Sequence, residues 1–170
     1  MVTSASRPVP VYSIHPAIMV VAALLALLLQ TFLPLKFPLA RLMDFPLLIT
    51  IYFALLRRNK VFGIGLGTML GLLQDTLSHG YIGIFGIAKA IVGYLVAFAS
   101  TKFELESLMA RTLLTALFVL VHSLCLAALQ RTLLESPPPF QPLAVASGIL
   151  VNAALGLILF QILDRFRRTV

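Results

Sequence analysis

The sequence predicts an all-α integral membrane protein, a bundle of about six transmembrane helices. Composition, the length of the apolar runs and the placement of charge predict it. Of 170 residues, 60% are hydrophobic and 11% charged, and the mean hydropathy is +1.03. A soluble domain carries about 25% charged residues, because its surface must stay wet. This chain has too few polar side chains to cover a globule in water. A hydrocarbon core about 30 Å thick takes roughly 20 apolar residues per helix, so the spans leave no room for a separate folded domain. Barrel strands would alternate apolar and polar residues over about ten positions. The runs here are continuous and rich in Leu and Ala, which selects helices.

The elements follow in order. Residues 1–16 are polar and proline-containing and read as a short disordered cytoplasmic lead. The first span runs from Ala17 to Leu33 and ends at Pro34; it is too long for a signal peptide, and no small-x-small cleavage site follows it. Phe45 to Leu56 is short for a crossing, which leaves three readings: help from Leu42 and Met43, local thinning of the bilayer, or a partly buried helix. It stops at the basic cluster Arg57, Arg58 and Lys60. Two glycine-rich spans follow, Val61 to Ser78 and Tyr81 to Thr101, joined by a tight turn at Ser78-His79-Gly80. A charged loop covers Lys102 to Glu106. The fifth span runs from Leu108 to Leu129, and Glu135 to Pro139 form the longest internal loop. The last span runs from Leu143 to Leu163. The transmembrane domain is thus 17–164, and 165–170 is a basic cytoplasmic tail.

The net charge of +7 does not imply nucleic-acid binding, because the charges sit at the ends of apolar runs and not along one face. They set orientation instead. With both termini inside, Arg7, Arg57, Arg58, Lys60, Lys102, Arg111, Arg165, Arg167 and Arg168 are cytoplasmic, and only Lys36, Arg41 and Arg131 lie outside. This positive-inside bias requires an even number of crossings and favours six. Cys125 is single, lies within a span and reads as a packing residue.

Gly63, Gly67 and Gly71 recur every four residues along one side of the third helix. Gly86, Lys89, Ala90 and Gly93 share a face of the fourth. Small residues at this spacing let backbones approach closely in lipid, so the two faces are expected to meet across the turn. Asp75 and Lys89 are the sharpest polar features. A charge inside a span costs at least about 2.5–3.5 kcal/mol unless it is paired, hydrated or near an interface. Their depths permit an Asp75–Lys89 pair, with Gln74 and His79 completing the hydrogen bonds. Such a group reads as a structural ion pair, a partner- or ligand-recognition site, or an ion-coupling site. His122 and Asn152 read as interhelical hydrogen-bonding residues. No metal is implied, because His15, His79 and His122 are dispersed and no Cys pair or H-E-x-x-H is present. No cofactor or enzyme signature is present either: the chain lacks G-x-S-x-G, a P-loop and paired intramembrane aspartates.

Gly71-Leu72-Leu73-Gln74-Asp75, then Gly83 and Gly86, then Lys89 and Gly93-Tyr94-Leu95 resemble the bacterial rod shape-determining protein MreD family. Asp44 to Leu56 with its basic pair is similar to that family's second helix. Ser78-His79-Gly80-Tyr81 departs from the pattern, where smaller residues are expected. The resemblance implies a non-catalytic inner-membrane subunit of the cell-elongation complex. Its implied partners are an MreC-like single-span protein and, through the complex, RodA, a penicillin-binding transpeptidase and MreB. The implied fold is similar to the substrate-binding subunits of energy-coupling-factor transporters. The glycine-lined region is then either the groove for the partner's span or the bundle centre that supports it. The alternative is a vitamin-uptake subunit with an outward pocket lined by Gln74, Tyr81 and Asn152. A lipid-modifying enzyme using Asp75 or His122 is a third reading.

Overall fold

The computed structural model describes residues 12–78, 81–102 and 107–169. The start of the lead, His79 and Gly80 of the expected turn, and residues 103–106 of the charged loop lie outside the described residues. The helices among them are α1 (Pro16–Lys36), α2 (Phe45–Arg57), α3 (Lys60–Leu77), α4 (Ile84–Lys102), α5 (Leu108–Leu133) and α6 (Pro142–Asp164). A 3-10 turn, Pro38–Leu42, joins α1 to α2. Two short strands, β1 (Tyr12–Ser13) and β2 (Arg168–Thr169), pair antiparallel with Tyr12 opposite Thr169.

That ladder corrects the expectation of disorder through residue 16. Ile14 is buried in the core, and His15 caps α1, its Nδ1 accepting from the Ala17 N–H at 3.3 Å. It also brings the two ends of the described chain to the same end of the bundle. α1 runs past Pro34 to Lys36, because a proline in the last turn forfeits only one backbone bond there. α5 likewise extends beyond Leu129 to Leu133.

Four helices, α1, α4, α5 and α6, are long and apolar enough to cross a membrane. α3 has 18 residues, but its glycines, Gln74 and Asp75 dilute its hydropathy. α2 has 13 residues, about 20 Å at 1.5 Å per residue, short of a core about 30 Å thick. Of the readings left open for this segment, the structure favours the buried helix. Phe45 to Leu56 is apolar on all sides, and a helix of that kind belongs inside. Ten of its 13 residues are buried, and it touches all five other helices. Its Thr50 hydroxyl donates to the Pro46 carbonyl at 2.8 Å, so that polar side chain in mid-helix is satisfied locally.

The remaining helices wrap this post and turn leucines outward. Leu113, Leu117 and Leu124 of α5 are exposed, as are Leu150 and Ile158 of α6 and Val20, Leu24 and Leu28 of α1. A stripe of this kind is suited to lipid. α3 and α4 make the closest pair, as their glycine faces lead one to expect. A Cβ on Gly63 would overlap the Gly93 carbonyl, one on Gly67 the Lys89 carbonyl, and one on Gly71 the backbone of Phe85 and Gly86. As α3 advances by four residues α4 retreats by four, the register of an antiparallel pair. The glycine surfaces therefore fill each other. What the contacts give them is close helix packing, each surface covered by the other.

Gly65 provides the contrast, since a Cβ there meets nothing within 4 Å. Gly67→Ala and Gly71→Ala are each expected to destabilise by about 1–3 kcal/mol through overpacking, while Gly65→Ala stays within about 0.5 kcal/mol of the parent. Thermal unfolding of the detergent-solubilised variants checks this. Equal melting of Gly65→Ala and Gly67→Ala would refute the close α3–α4 contact.

Candidate functional site

The buried start of α2 organises the polar interior. A helix leaves its first backbone N–H groups without intrahelical partners, and here they lie inside the bundle. Each is met. The Asp44 N–H donates to Asn152 Oδ1 of α6 at 2.8 Å. The Phe45 N–H donates to Gln30 Oε1 of α1 at 3.0 Å. Pro46 has no N–H, which suits proline to the first helical turn. The Leu47 N–H donates to Asp44 Oδ1 at 2.9 Å, so Asp44 is an N-cap. The amide groups of Asn152 and Gln30 bond backward as well, to the carbonyls of Leu42 at 2.7 Å and Met43 at 3.1 Å.

The second carboxylate oxygen of Asp44 meets Lys89. Lys89 Nζ lies 2.7 Å from Asp44 Oδ2, and Lys89 is fully buried in α4. The ammonium also lies 3.4 Å from His122 Nε2 of α5 and 4.8 Å from the centre of the Phe85 ring. A carboxylate, an imidazole and an aromatic face thus surround one buried cation, a setting in which cation–π attraction is strengthened by desolvation.

The Asp75–Lys89 pair expected from depth is therefore not the one formed. Asp75 lies at the end of α3 and is 1% exposed, but its carboxylate is committed to backbone. It accepts from the N–H groups of Gly83 at 2.8 Å, Phe85 at 3.1 Å and Gly86 at 3.2 Å. It caps α4 from the neighbouring helix, where the positive end of the helix dipole favours an anion. Gly83 makes the approach possible with a φ of +105°, which glycine adopts without a Cβ clash. Of the residues expected to complete the pair, Gln74 bonds neither charge, and His79 lies outside the described residues.

Above the α2 start lies a cavity of about 470 Å³. Asp44, Gln74, His122 and Asn152 line it, together with Arg41 and Arg131. It opens at the end of the bundle that holds the 3-10 turn and the α5–α6 connection, opposite the β1–β2 ladder. Gln74 is 5% exposed, and its Oε1 is buried with no hydrogen-bond partner. Of the pocket residues expected from sequence, Gln74 and Asn152 meet here. Tyr81 does not, being 69% exposed and outside the lining. Asp75 does not line the cavity either, which separates it from His122.

A second polar group ties the opposite end. Asp164 of α6 accepts from the Tyr52 hydroxyl of α2 at 2.9 Å and from Arg111 of α5 at 2.6 Å, and it pairs with Arg167 at 2.7 Å. Buried charge at both ends of α2 is thus compensated within the protein. Among the described residues no cluster of His, Cys, Asp and Glu is suited to hold a metal ion.

Asp44, Gln30 and the Tyr52–Asp164 group escaped the sequence reading. Asp44 did carry a signal: an aspartate followed by Phe-Pro at the head of an apolar run is an N-cap pattern, and a cap inside a bundle needs a counter-charge. Gln30, a single amide in an apolar span, carried a weaker one.

A family model described as rod shape-determining protein MreD matches residues 13–166, nearly the whole chain. Comparison with curated proteins gave no match, and neither did comparison with solved structures.

The pairing makes an asymmetric prediction. Asp44→Asn leaves Lys89 facing the positive end of α2, whereas Lys89→Met leaves Asp44 still held by the Leu47 N–H. Removing one partner of a buried pair costs about 3–5 kcal/mol. Asp44→Asn is expected near the top of that range and Lys89→Met below it. The double variant should be less unstable than the sum by more than about 1 kcal/mol, while Asp75→Asn with Lys89→Met should be additive within about 0.5 kcal/mol. Unfolding of the three single variants and the two doubles decides it. Coupling in the Asp75 cycle and none in the Asp44 cycle would reverse the assignment.

Proposed function

The chain belongs to the rod shape-determining protein MreD family, and from that premise we propose that it is a non-catalytic subunit of the bacterial cell-elongation complex. It is a multi-pass membrane protein that helps to determine rod shape. In the proposed role it binds an MreC-like single-span protein and, through the complex, serves RodA, a penicillin-binding transpeptidase and MreB, helping to control peptidoglycan synthesis. The family match over residues 13–166 carries this reading.

The arrangement of the interior supports it. Asp44, Lys89, Asp75 and Asp164 are engaged in holding helices together, which is what a scaffold requires and a turnover site does not. A groove of about 460 Å³ between α1 and α6 is lined only by apolar side chains, among them Val21, Leu25, Ile162 and Phe166. α1 buries only Ala23, Ala26 and Leu27. A groove of this shape accepts a transmembrane helix through close packing, and in this reading the partner's single span lies there. The proposal also places six crossings in the inner membrane, the short buried α2 counted among them, in a fold similar to the vitamin-transporter subunits, with both termini cytoplasmic. The meeting of β1 and β2 at one end fits an even number of crossings, and the basic residues near that end fit the positive-inside bias.

One observation favours a second reading, that of a vitamin-uptake subunit: the cavity of about 470 Å³ lined by Gln74 and Asn152. That reading requires a vitamin retained through purification, which native mass spectrometry detects.

Two measurements test the first reading. Val21→Trp with Ile162→Trp, at exposed groove positions, should cut co-purification of the MreC-like partner at least tenfold while leaving the melting temperature within about 2 °C. Undiminished capture would remove the groove from the interface. In a Cys125→Ser background, a membrane-impermeant maleimide applied to intact spheroplasts should label Ser136→Cys and spare Thr169→Cys. The opposite pattern would invert the topology, and labelling of both would reject the even count.

A further inference from the structure

The cavity above α2 has a chemistry that scaffolding does not use. Its charged lining residues are Arg41, Asp44 and Arg131. Asp44 is neutralised by Lys89 at 2.7 Å, so the arginines leave the cavity electropositive. Arg41 is exposed, and Arg131 is exposed with its guanidinium over the Phe140 ring at 5.9 Å. Two guanidinium forks present more donors than a carboxylate has oxygens to receive, and they match the oxygens of a phosphate. Deeper in, Gln74 Oε1 is buried without a donor. Buried polar atoms are seldom left so; Gln74 is among the residues that line the cavity, and a turn of its amide brings this acceptor to an O–H or N–H of what enters. The volume of about 470 Å³ is in the range of small-molecule sites.

We propose that this cavity binds a hydroxyl-bearing phosphate ester, its phosphate held by Arg41 and Arg131 and its hydroxyl donating to Gln74 Oε1. The same chemistry is offered by a soluble polyol phosphate and by the headgroup of a glycerol-bearing phospholipid in the surrounding leaflet. The inference rests on the cavity and is independent of the partner assignment above.

The full chain, reconstituted in phosphatidylcholine nanodiscs, is melted with increasing sn-glycerol 3-phosphate, and separately in nanodiscs containing phosphatidylglycerol. Inorganic phosphate is the control. A saturable rise in melting temperature with sn-glycerol 3-phosphate identifies a free ester as sufficient; a rise confined to phosphatidylglycerol identifies the headgroup. In either case the Arg41→Gln, Arg131→Gln double variant is expected to keep its ligand-free melting temperature and to weaken apparent binding at least tenfold. Gln74→Leu should erase the preference for the glycerol ester over inorganic phosphate. Should the double variant not fold, each single variant carries the same comparison. Equal response to inorganic phosphate in the parent means an adventitious ion only and overturns the proposal. It is overturned equally by no rise in either arm, or by a rise that survives loss of the arginines.

Discussion

The architecture depends on one constraint, the satisfaction of a helix start that lies inside the bundle. Short helices buried on all sides expose their terminal N–H groups to an apolar interior, where an unmet donor is costly. α2 is such a helix, and its start, part-buried beside the cavity, is met by side chains from α1 and α6 and by its own Asp44. Each of those partners must sit at one depth in its own helix. The constraint thus fixes the vertical register of α1 and α6 against α2, which apolar packing alone would leave free to slide. Asp44 then imposes a further demand, because a carboxylate in that setting requires a cation. Lys89 supplies it and sets the depth of α4, and His122 and Phe85 enclose the ammonium.

The same device appears twice with different compensation. Asp75 receives three backbone N–H groups from the start of α4, and among the described residues no cation pairs with it. Asp44 receives one N–H from its own helix and therefore needs Lys89. A carboxylate fully engaged by a helix start is stabilised by oriented dipoles, whereas one with a free oxygen must find a charge. This difference explains why Lys89 turns to Asp44 although Asp75 is near it in sequence. It also explains the glycines. α4 must lie close enough to α3 for the Asp75 side chain to reach its first turn, and the backbone approaches at Gly63, Gly67 and Gly71 bring it there.

Most of the helical layout was legible in the sequence because lipid imposes simple rules. Run length, basic ends and glycine spacing located six helices and the α3–α4 contact face. The polar residues Gln74, Asp75, Lys89, His122 and Asn152 were visible as polar in apolar surroundings, and all are buried. Their pairing was not legible. Periodicity says which residues share a face of one helix, but not which helix lies opposite or at what height. Asp44 and Lys89 are 45 positions apart and Asp44 and Asn152 are 108 apart, separations that no local pattern encodes. The central place of α2 did have a signal in its all-round apolarity and its length of 13 residues. A span too short to reach both interfaces leaves a polar end inside, so the residue before Phe45-Pro46 needs a partner.

The two polar groups at the ends of α2 differ in how completely they are closed. At the β1–β2 end, Asp164 draws together Tyr52, Arg111 and Arg167, joining α2, α5 and α6 into one unit beside the paired chain ends. At the other end the Asp44 group is closed below, toward Lys89, but borders a cavity above, where Gln74 keeps an acceptor without a donor. Asn152 stands on that boundary: one side chain holds the α2 start and lines the cavity. The same helix, α6, forms one wall of the apolar groove that it shares with α1. A single helix thus borders both the cavity and the groove.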